Sequence, residues 1–575
     1  MTTKLTVLIV GGYGHFGSRI VQLLEHDPRL TLLVGGRSWE KANRLCITRT
    51  AAKARLVPAQ FDRAQDLDRQ LQILQPDIVI DASGPFQAYG HKPYALIEAC
   101  IARRIHYLDL ADGSDFVAGV HAYNAAALAA DIYVLTGVSS FPVLTAAAVR
   151  RLSHDMHRID SIKGGIAPSP YGRVGENVIR AIAGYAGRRI ALKRDGRAAF
   201  GYPFTEQLRY TIAPPGHVPL RRTLFSLVDV PDHTAIAELW PDAKTIWMGA
   251  GPVPAVLHRT LIALAWLRRL RLMPSLSWLT PLIHFAANHF VWGENRGGMF
   301  IEARGARPTG EPLIRSWHLI AEGDDGPFIP SMAVAAIVNN VLDGKPPRPG
   351  ARAASRDLEL DDYEPFFLSR RIVTGIREDL PRSAPLQKRV LDTAWEKLPA
   401  PIASIHDVAV SHIAHGRADI DRGTGPLATA IATIIGLPKP GRDVPLTVRI
   451  ERIGDTELWT RTFAGRSFAS THFEGRGRNE RLLCERFGPI AFAMAMVPDG
   501  DRVNLVVRSW SFFGIAMPQW LGPRATVYET AQDGRFRFHV EIRLPWGTLI
   551  VRYRGWLARA DEKTHAAPLA EPALA

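Results

Sequence analysis

Three glycines near the start of the chain have the spacing needed to hold a diphosphate. Gly12, Gly14 and Gly17 form G-x-G-x-x-G within GGYGHFG (11–17). The first permits a tight turn, the second lets the backbone approach the ligand, and the third lets a helix pack closely. A pyrophosphate would sit on free N–H groups at the helix N-terminus, with Tyr13, His15 and Phe16 in the same turn. A purely structural glycine turn is the alternative. The next signal is Arg37 with Ser38 in GGRS (35–38). NAD-preferring sites place an acid about 20 residues beyond the glycines, on the ribose 2′-hydroxyl. No carboxylate stands there in this chain, and Arg37 with Ser38 suits a 2′-phosphate, so NADP is favoured over NAD. A solvated loop arginine is the competing reading.

The elements that must position these residues are regular. Residues 4–10 (KLTVLIV) read as a strand and 18–24 (SRIVQLL) as a helix. Further strands are predicted at 30–34, 54–59, 76–81, 105–110 and 132–135, with helices at about 64–74 and 92–103. Strands alternating with helices argue a doubly wound parallel sheet of Rossmann type, with ligands at the carboxyl ends of its strands. Asp62 stands just past a strand end and reads equally as an adenine contact or a helix N-cap. Ala82-Ser83-Gly84-Pro85 follows the fourth strand at the same edge.

In order, GGYGHFG, GGRS, DIVIDASGPFQAYG, ACIARRIHYLDLADG and LTGVSSFP resemble the NADP-binding domain of the saccharopine-dehydrogenase-like oxidoreductases over about residues 1–150. The resemblance continues more faintly to about 375, through EGDDGPFIPSMAVAAIVNNVL and LELDDYEPFF. It implies an α+β substrate domain over 151–380, whose last helix packs back on the nucleotide domain. It also implies that Ala82, Ser83, Gly84 and Pro85 lie beside the nicotinamide ribose, and that Tyr89, Gly90 and residues 109–113 line the cleft. Tyr89 could donate a proton to substrate or simply pack beside Gly90. Asp112 and Asp115 read as cleft acids or as caps. The family includes amino-acid dehydrogenases and reductases of lipid-like enoyl substrates. No residue pair singles out the amino-acid chemistry, so that chemistry is not carried over.

At 575 residues the chain needs two or three domains. Cys46, Cys100 and Cys484 are far apart, which supports neither a disulfide framework nor zinc. No signal peptide is read at the N-terminus, and a cytoplasmic location is expected. The net charge is +14, but the arginines are scattered and no nucleic-acid motif accompanies them, so no nucleic-acid partner is expected. A homodimer is allowed for.

Residues 204–212, 300–305 and 316–321 are predicted strands of the middle domain. Between Arg271 and Glu294 there is no Asp, Glu, Lys or Arg, and WLRRLR (266–271) lies just upstream. Three readings of 261–292 stand open: buried or lid helices of the substrate domain, peripheral membrane contact, and a membrane span. Residues 343–355 (DGKPPRPGARAAS) read as an exposed loop.

Beyond about 380 the pattern turns to alternating strands, at 446–453, 457–463, 503–510, 536–542 and 549–553. A mainly antiparallel sheet is expected. GLPKPG, WTRTF, FAST, LCERFGP and PWGTLIVRYRGWL resemble a domain of unknown function over about 395–557. Trp459, Phe463, Phe468, Trp510, Phe512, Phe513 and Trp520 could line a cradle for an apolar ligand or form an ordinary core. The Ala/Pro-rich tail, 558–575 and above all 561–575, is expected to be disordered. His412 and His415 could share a helix face, but no third ligand follows, so no metal is expected.

The leading expectation is an NADP-dependent oxidoreductase moving hydride to or from an apolar or lipid-like carbonyl or enoyl substrate. The rivals are a non-catalytic NADP-sensing protein with a ligand- or partner-binding C-terminal domain, and a membrane-surface scaffold.

Overall fold

The computed structural model describes residues 4–86, 89–252 and 254–560. Of the tail expected to be disordered from 558, residues 558 and 559 instead end the last strand, Leu549–Arg559, and 561–575 lie outside the described residues. The chain divides into two compact units, 1–212 with 223–374, and 213–222 with 375–575.

Among the described residues the first unit holds two seven-stranded sheets and a two-stranded ribbon, Ile190–Arg194 with Arg197–Gly201. In the nucleotide sheet the strands are β1 (Leu5–Val10), β2 (Leu30–Gly36), β3 (Arg55–Gln60), β4 (Ile78–Asp81), β5 (His106–Asp109) and β6 (Tyr133–Thr136). Their order, β6-β5-β4-β1-β2-β3, places the first crossover reversal between β1 and β4. Helices α1 (Gly17–Leu24), α2 (Trp39–Thr48), α3 (Leu67–Leu74) and α4 (Ala95–Ala102) connect them. Near-continuous apolar runs make β1, β2 and β4 central, since a parallel sheet is covered on both faces.

A seventh strand, Gly350–Ala353, pairs parallel with β6. It falls inside the segment expected to be an exposed loop, so that expectation is corrected. Pro347 and Gly350 punctuate the stretch, yet an edge position tolerates both. Gly350 has φ +115, and a Cβ there would lie 2.6 Å from Asn124 Oδ1.

The second sheet is mixed. Its order is Gln207–Tyr210, Thr223–Leu227, Thr245–Ala250, Arg158–Ala167, Arg296–Ala306, Pro312–Glu322 and Ile372–Glu378. The paired strands expected at 300–305 and 316–321 meet in antiparallel register, Phe300 opposite His318 and Ile301 opposite Trp317. The helix Ile329–Leu342 then returns to the nucleotide sheet, where Ser331 Oγ donates to Phe16 O at 3.3 Å.

The segment 261–292 forms helices Ala255–Arg269 and Thr280–His289. Among the described residues no helix is long and apolar enough to cross a membrane, which removes the helical-span reading.

The second unit is a closed antiparallel β-barrel. Ten strands follow one another around the ring: Ser411–Arg422, Gly441–Ile453, Thr456–Phe463, Arg466–Glu474, Leu483–Phe487, Ile490–Asp499, Arg502–Phe512, Arg524–Gln532, Arg535–Arg543 and Leu549–Arg559. The last pairs with the first, Ala418 opposite Gly555, and closes it. His412 and His415 lie on the first strand, not a helix. A spacing of three turns them to opposite faces there. The expected aromatic cradle divides. Trp459, Phe463 and Phe468 are buried, whereas Phe512, Phe513 and Trp520 are exposed.

Candidate nucleotide site and cleft

The glycine turn is built on close backbone approach. Gly11 has φ +76, a left-handed conformation that favours glycine. A Cβ on Gly17 would lie 2.2 Å from Gly11 O, and one on Gly14 would lie 2.9 Å from the same oxygen. No side chain caps α1; within its first turn the N–H groups of Ser18 and Arg19 bond back to Gly14 O and Phe16 O, and the N-terminal end of the helix dipole points at the glycine turn. His15 sits in this turn with its pKa lowered to about 4, mainly by burial and secondarily by Arg19. It is neutral at pH 7, so any anion held here rests on backbone and helix dipole.

Tyr13 lies across the end of β2. Its hydroxyl accepts the Ser38 N–H at 3.1 Å, and a Cβ on Gly36 would fall 2.3 Å from its ring. Position 36 therefore has no room for a carboxylate. Arg37, the next residue, is exposed. Ser38 caps α2, accepting Lys41 N–H at 3.3 Å and donating to Glu40 at 2.8 Å. Asp62 is not the N-cap of α3; Asp66 is. The Asp62 carboxylate instead accepts Ala64 N–H at 3.0 Å, turning the loop after β3.

A polar cluster closes the carboxyl ends of β4 and β5. Asp81 is fully buried at the end of β4. It accepts Ser83 Oγ–H at 2.6 Å and Ser83 N–H at 3.0 Å, and Arg63 Nη1 stands 3.3 Å from its other oxygen. The Tyr89 hydroxyl lies 3.0 Å from Ser83 Oγ and 3.3 Å from Asp81, with the Arg63 guanidinium 3.4 Å over its ring. Burial drives the Tyr89 phenol far above its ordinary range, with Asp81 adding to the effect. These contacts fix Ala82, Ser83, Gly84 and Pro85 at the switch point between β1 and β4.

Asp109, at the end of β5, is also fully buried. Its Oδ1 accepts Ala111 N–H, Gly137 N–H and Thr136 Oγ–H, each at 2.9 Å. Burial raises its pKa to about 7 despite those three donors. Asp112 is exposed on the following loop, and Asp115 occupies the first turn of helix Ser114–Gly119. Neither is the cap after β5, because Asp109 makes that turn.

The second sheet supplies the opposite wall. Ser114 donates to Asp229 at 2.6 Å, and burial raises the Asp229 carboxyl. Asn177, in helix Glu176–Tyr185, donates to Gly84 O at 3.0 Å. That helix is held by the 255–289 pair. Arg268 donates to Gly184 O and Ala186 O, both at 2.8 Å, and Asn288 accepts Val174 N–H at 3.1 Å. The outer face of the pair exposes Leu270, Leu272, Trp278, Leu282, Phe285 and Phe290.

Sequence reasoning missed Arg63, Asn177 and Asp229. All three stand in loops or on a polar helix face with no periodicity around them. Asp81 had a signal, an acid ending the apolar run PDIVID. Among the described residues no group of three metal-ligating side chains is assembled.

Residues 7–135 match the model of the saccharopine dehydrogenase NADP-binding domain, and residues 398–557 that of a domain of unknown function, DUF4166. Among solved structures, the L-Glu-forming saccharopine dehydrogenase from Saccharomyces cerevisiae is 15% identical. That alignment covers 65% of this chain and 99% of the other, with a TM-score of 0.46. A myo-inositol dehydrogenase from Corynebacterium glutamicum is 11% identical over 64% of this chain and 98% of its own, with a TM-score of 0.31. No curated protein matches the chain. The chain thus carries a saccharopine dehydrogenase NADP-binding domain over residues 7–135 and DUF4166 as its C-terminal domain.

Proposed function

We propose that the protein is an NADP-dependent oxidoreductase acting on an apolar, lipid-like carbonyl or enoyl substrate. One observation carries the cofactor choice. The Tyr13 ring occupies the space a side chain at 36 would need, which leaves exposed Arg37 to read the adenosine ribose. A guanidinium there favours a phosphate over a hydroxyl. Gly12, Gly14 and Gly17 with the uncapped start of α1 would hold the pyrophosphate.

When bound, the nicotinamide ring supplies or accepts the hydride. The chain's own residues orient it and shape the cleft. Arg63, Asp81 and Ser83 pin the loop at Gly84. Tyr89 keeps its proton and shares it with Ser83 and Asp81, so it acts as a positioning residue for that loop. Asp109, raised by burial to about 7, is a cleft group able to hold a proton near neutral pH, and burial raises the Asp229 carboxyl as well. The apolar substrate class rests on the 255–289 pair, which braces the helix reaching Gly84 and presents an apolar outer face. We place that face on an anionic membrane surface, given exposed Arg269 and Arg271 beside it.

Calorimetry with NADPH and NADH tests the cofactor. NADPH should bind more tightly, and Arg37→Ala should weaken NADPH by about 10–100-fold while leaving NADH unchanged. Equal affinities would remove NADP specificity. Binding without oxidation or reduction of any carbonyl or enoyl compound would favour the NADP-sensing rival. Protein that never floats with anionic vesicles would remove the membrane contact.

A further inference from the structure

Ten strands exceed the roughly eight whose side chains just fill a barrel. The lumen of the C-terminal barrel is accordingly not full. Two adjoining cavities of about 110 and 200 Å³ lie inside it. Each is far larger than the roughly 10–15 Å³ that one water requires. Phe487, Phe492, Ile542 and Tyr553 border both and form the partition between them.

The two cavities differ in chemistry. The 200 Å³ cavity is lined by residues such as Ile431, Ile435, Leu437 and Leu544, with no charged side chain. The 110 Å³ cavity mixes apolar staves with an ordered polar group. Glu485 Oε1 takes hydrogen bonds from Arg461 at 3.1 Å and Ser470 at 2.8 Å, and His472 Nε2 lies 2.9 Å from it. His406 Nε2 stands 2.7 Å from Glu529. Each cation in the lumen therefore already faces a carboxylate. What remains is Nδ1 of His406 and of His472. Both side chains are more than nine-tenths buried, both line the cavity, and neither Nδ1 has a partner among the described residues. A buried polar atom without a partner costs about 1–3 kcal/mol, which a ligand group could recover.

Access is also visible. Leu386–Leu391 and Ala400–His406 pack into the core from one end of the barrel. The other end carries the helix Pro426–Ile434 and the turns at 488–489 and 544–548, where Ile431, Ile435, Leu521, Pro523 and Pro545 line the apolar cavity. Around it stand exposed Trp520, Trp546 and Phe513, at 76%, 67% and 74% of full exposure. Aromatic side chains around an apolar mouth suit entry from an oily phase.

We propose that the barrel lumen is a binding site for one elongated apolar molecule bearing a single uncharged hydrogen-bonding group, such as a hydroxyl or carbonyl. The apolar body fills the cavity behind Leu521, and the polar group reaches His406 and His472. A carboxylate head is disfavoured because no unpaired cation awaits it. The site is independent of the nucleotide cleft and does not rest on its cofactor.

The test titrates the full chain with the neutral fluorophore N-phenyl-1-naphthylamine. Saturable binding near one probe per chain is expected. Val527→Trp, which fills the inner cavity, should weaken it about tenfold or more without loss of Tm. Leu521→Arg, an exposed change at the mouth, should weaken it as well, and serves if Val527→Trp fails to fold. Oleyl alcohol should displace the probe and oleate should not. Non-saturable binding, or binding that neither variant alters, overturns the site. Displacement by oleate as good as by the alcohol overturns the uncharged head group.

Discussion

The nucleotide cleft and the barrel lumen each hold a carboxylate largely out of water, Asp109 fully buried and Glu485 with 14% of its side chain exposed, and the two respond in opposite directions. Asp109 meets three hydrogen-bond donors and forms no ion pair, with Arg63 acting on it only from a distance, and burial wins, raising it to about 7. Burial also pushes Glu485 up, but His472 and Arg461 outweigh it and hold the carboxyl down at about 2. Depth alone does not decide a buried acid's charge; the nearest cation does. The cleft keeps a group able to carry a proton near neutral pH, as chemistry on a substrate requires. The lumen keeps a closed set of paired charges, as a binding site with a fixed shape requires.

The sharpest way to break this contrast is to remove the cation in the lumen. Arg461→Met leaves Glu485 with His472 and the Ser470 hydroxyl but without its guanidinium. It should destabilise the barrel by about 3–5 kcal/mol, the usual cost of breaking a buried pair from one side. Denaturant unfolding followed by tryptophan fluorescence reads it. A loss under about 1 kcal/mol would mean that the pair is solvated and the lumen is wet.

On the cleft side the matching change is Gly17→Val. Its Cβ would enter the 2.2 Å gap to Gly11 O and force α1 away from the turn. NADPH affinity should fall by about 100-fold or more, with N-phenyl-1-naphthylamine binding kept. Loss of both would show that the two sites are not independent.

The pH profiles should separate the two acids. Asp109 has a folded pKa above its unfolded one, so the stability it allows is complete below about pH 4 and falls as pH rises toward 7. Asn at 109 keeps the Oδ1 acceptor and has no proton to lose. The Tm advantage of Asp109→Asn should therefore grow from pH 4 to 7 and then stay level. Glu485 has the opposite sign. Its stabilisation is complete above about pH 4.5 and is lost as pH falls toward 2. The Tm deficit of Glu485→Gln should shrink over that acid range. Parallel profiles for the two variants would refute the contrast.

The two regions were unequally legible from sequence. The cleft's frame shows in local pattern, because parallel strands buried on both faces are continuous apolar runs and the glycine turn has a fixed spacing. Its seventh strand, Gly350–Ala353, does not show, since ARA just after three prolines acquires strand geometry only by pairing with β6. Arg63 and Asp229 were invisible for the same reason: their partners come from other elements. In the barrel, alternation in LTVRIERI marked a strand, but closure depends on Ala418 meeting Gly555 across the length of the domain. No local pattern records that pairing. The lumen's ion network was equally hidden, because Arg461, His472 and Glu485 stand on three different strands.

Ser38 offers the finest discrimination within the cleft. Its side chain already caps α2, so Ser38→Ala should cost about 1 kcal/mol of stability whatever the cofactor does. If the hydroxyl also meets a 2′-phosphate, NADPH affinity should fall severalfold further than the small loss that a frayed helix start produces. Ser38→Asp separates the two roles. Asp caps as well as Ser but repels a phosphate, so stability should return while NADPH binding weakens and NADH binding stays. If NADPH binding returns along with stability, Ser38 is a cap alone, and Arg37 is left as the reader of the ribose.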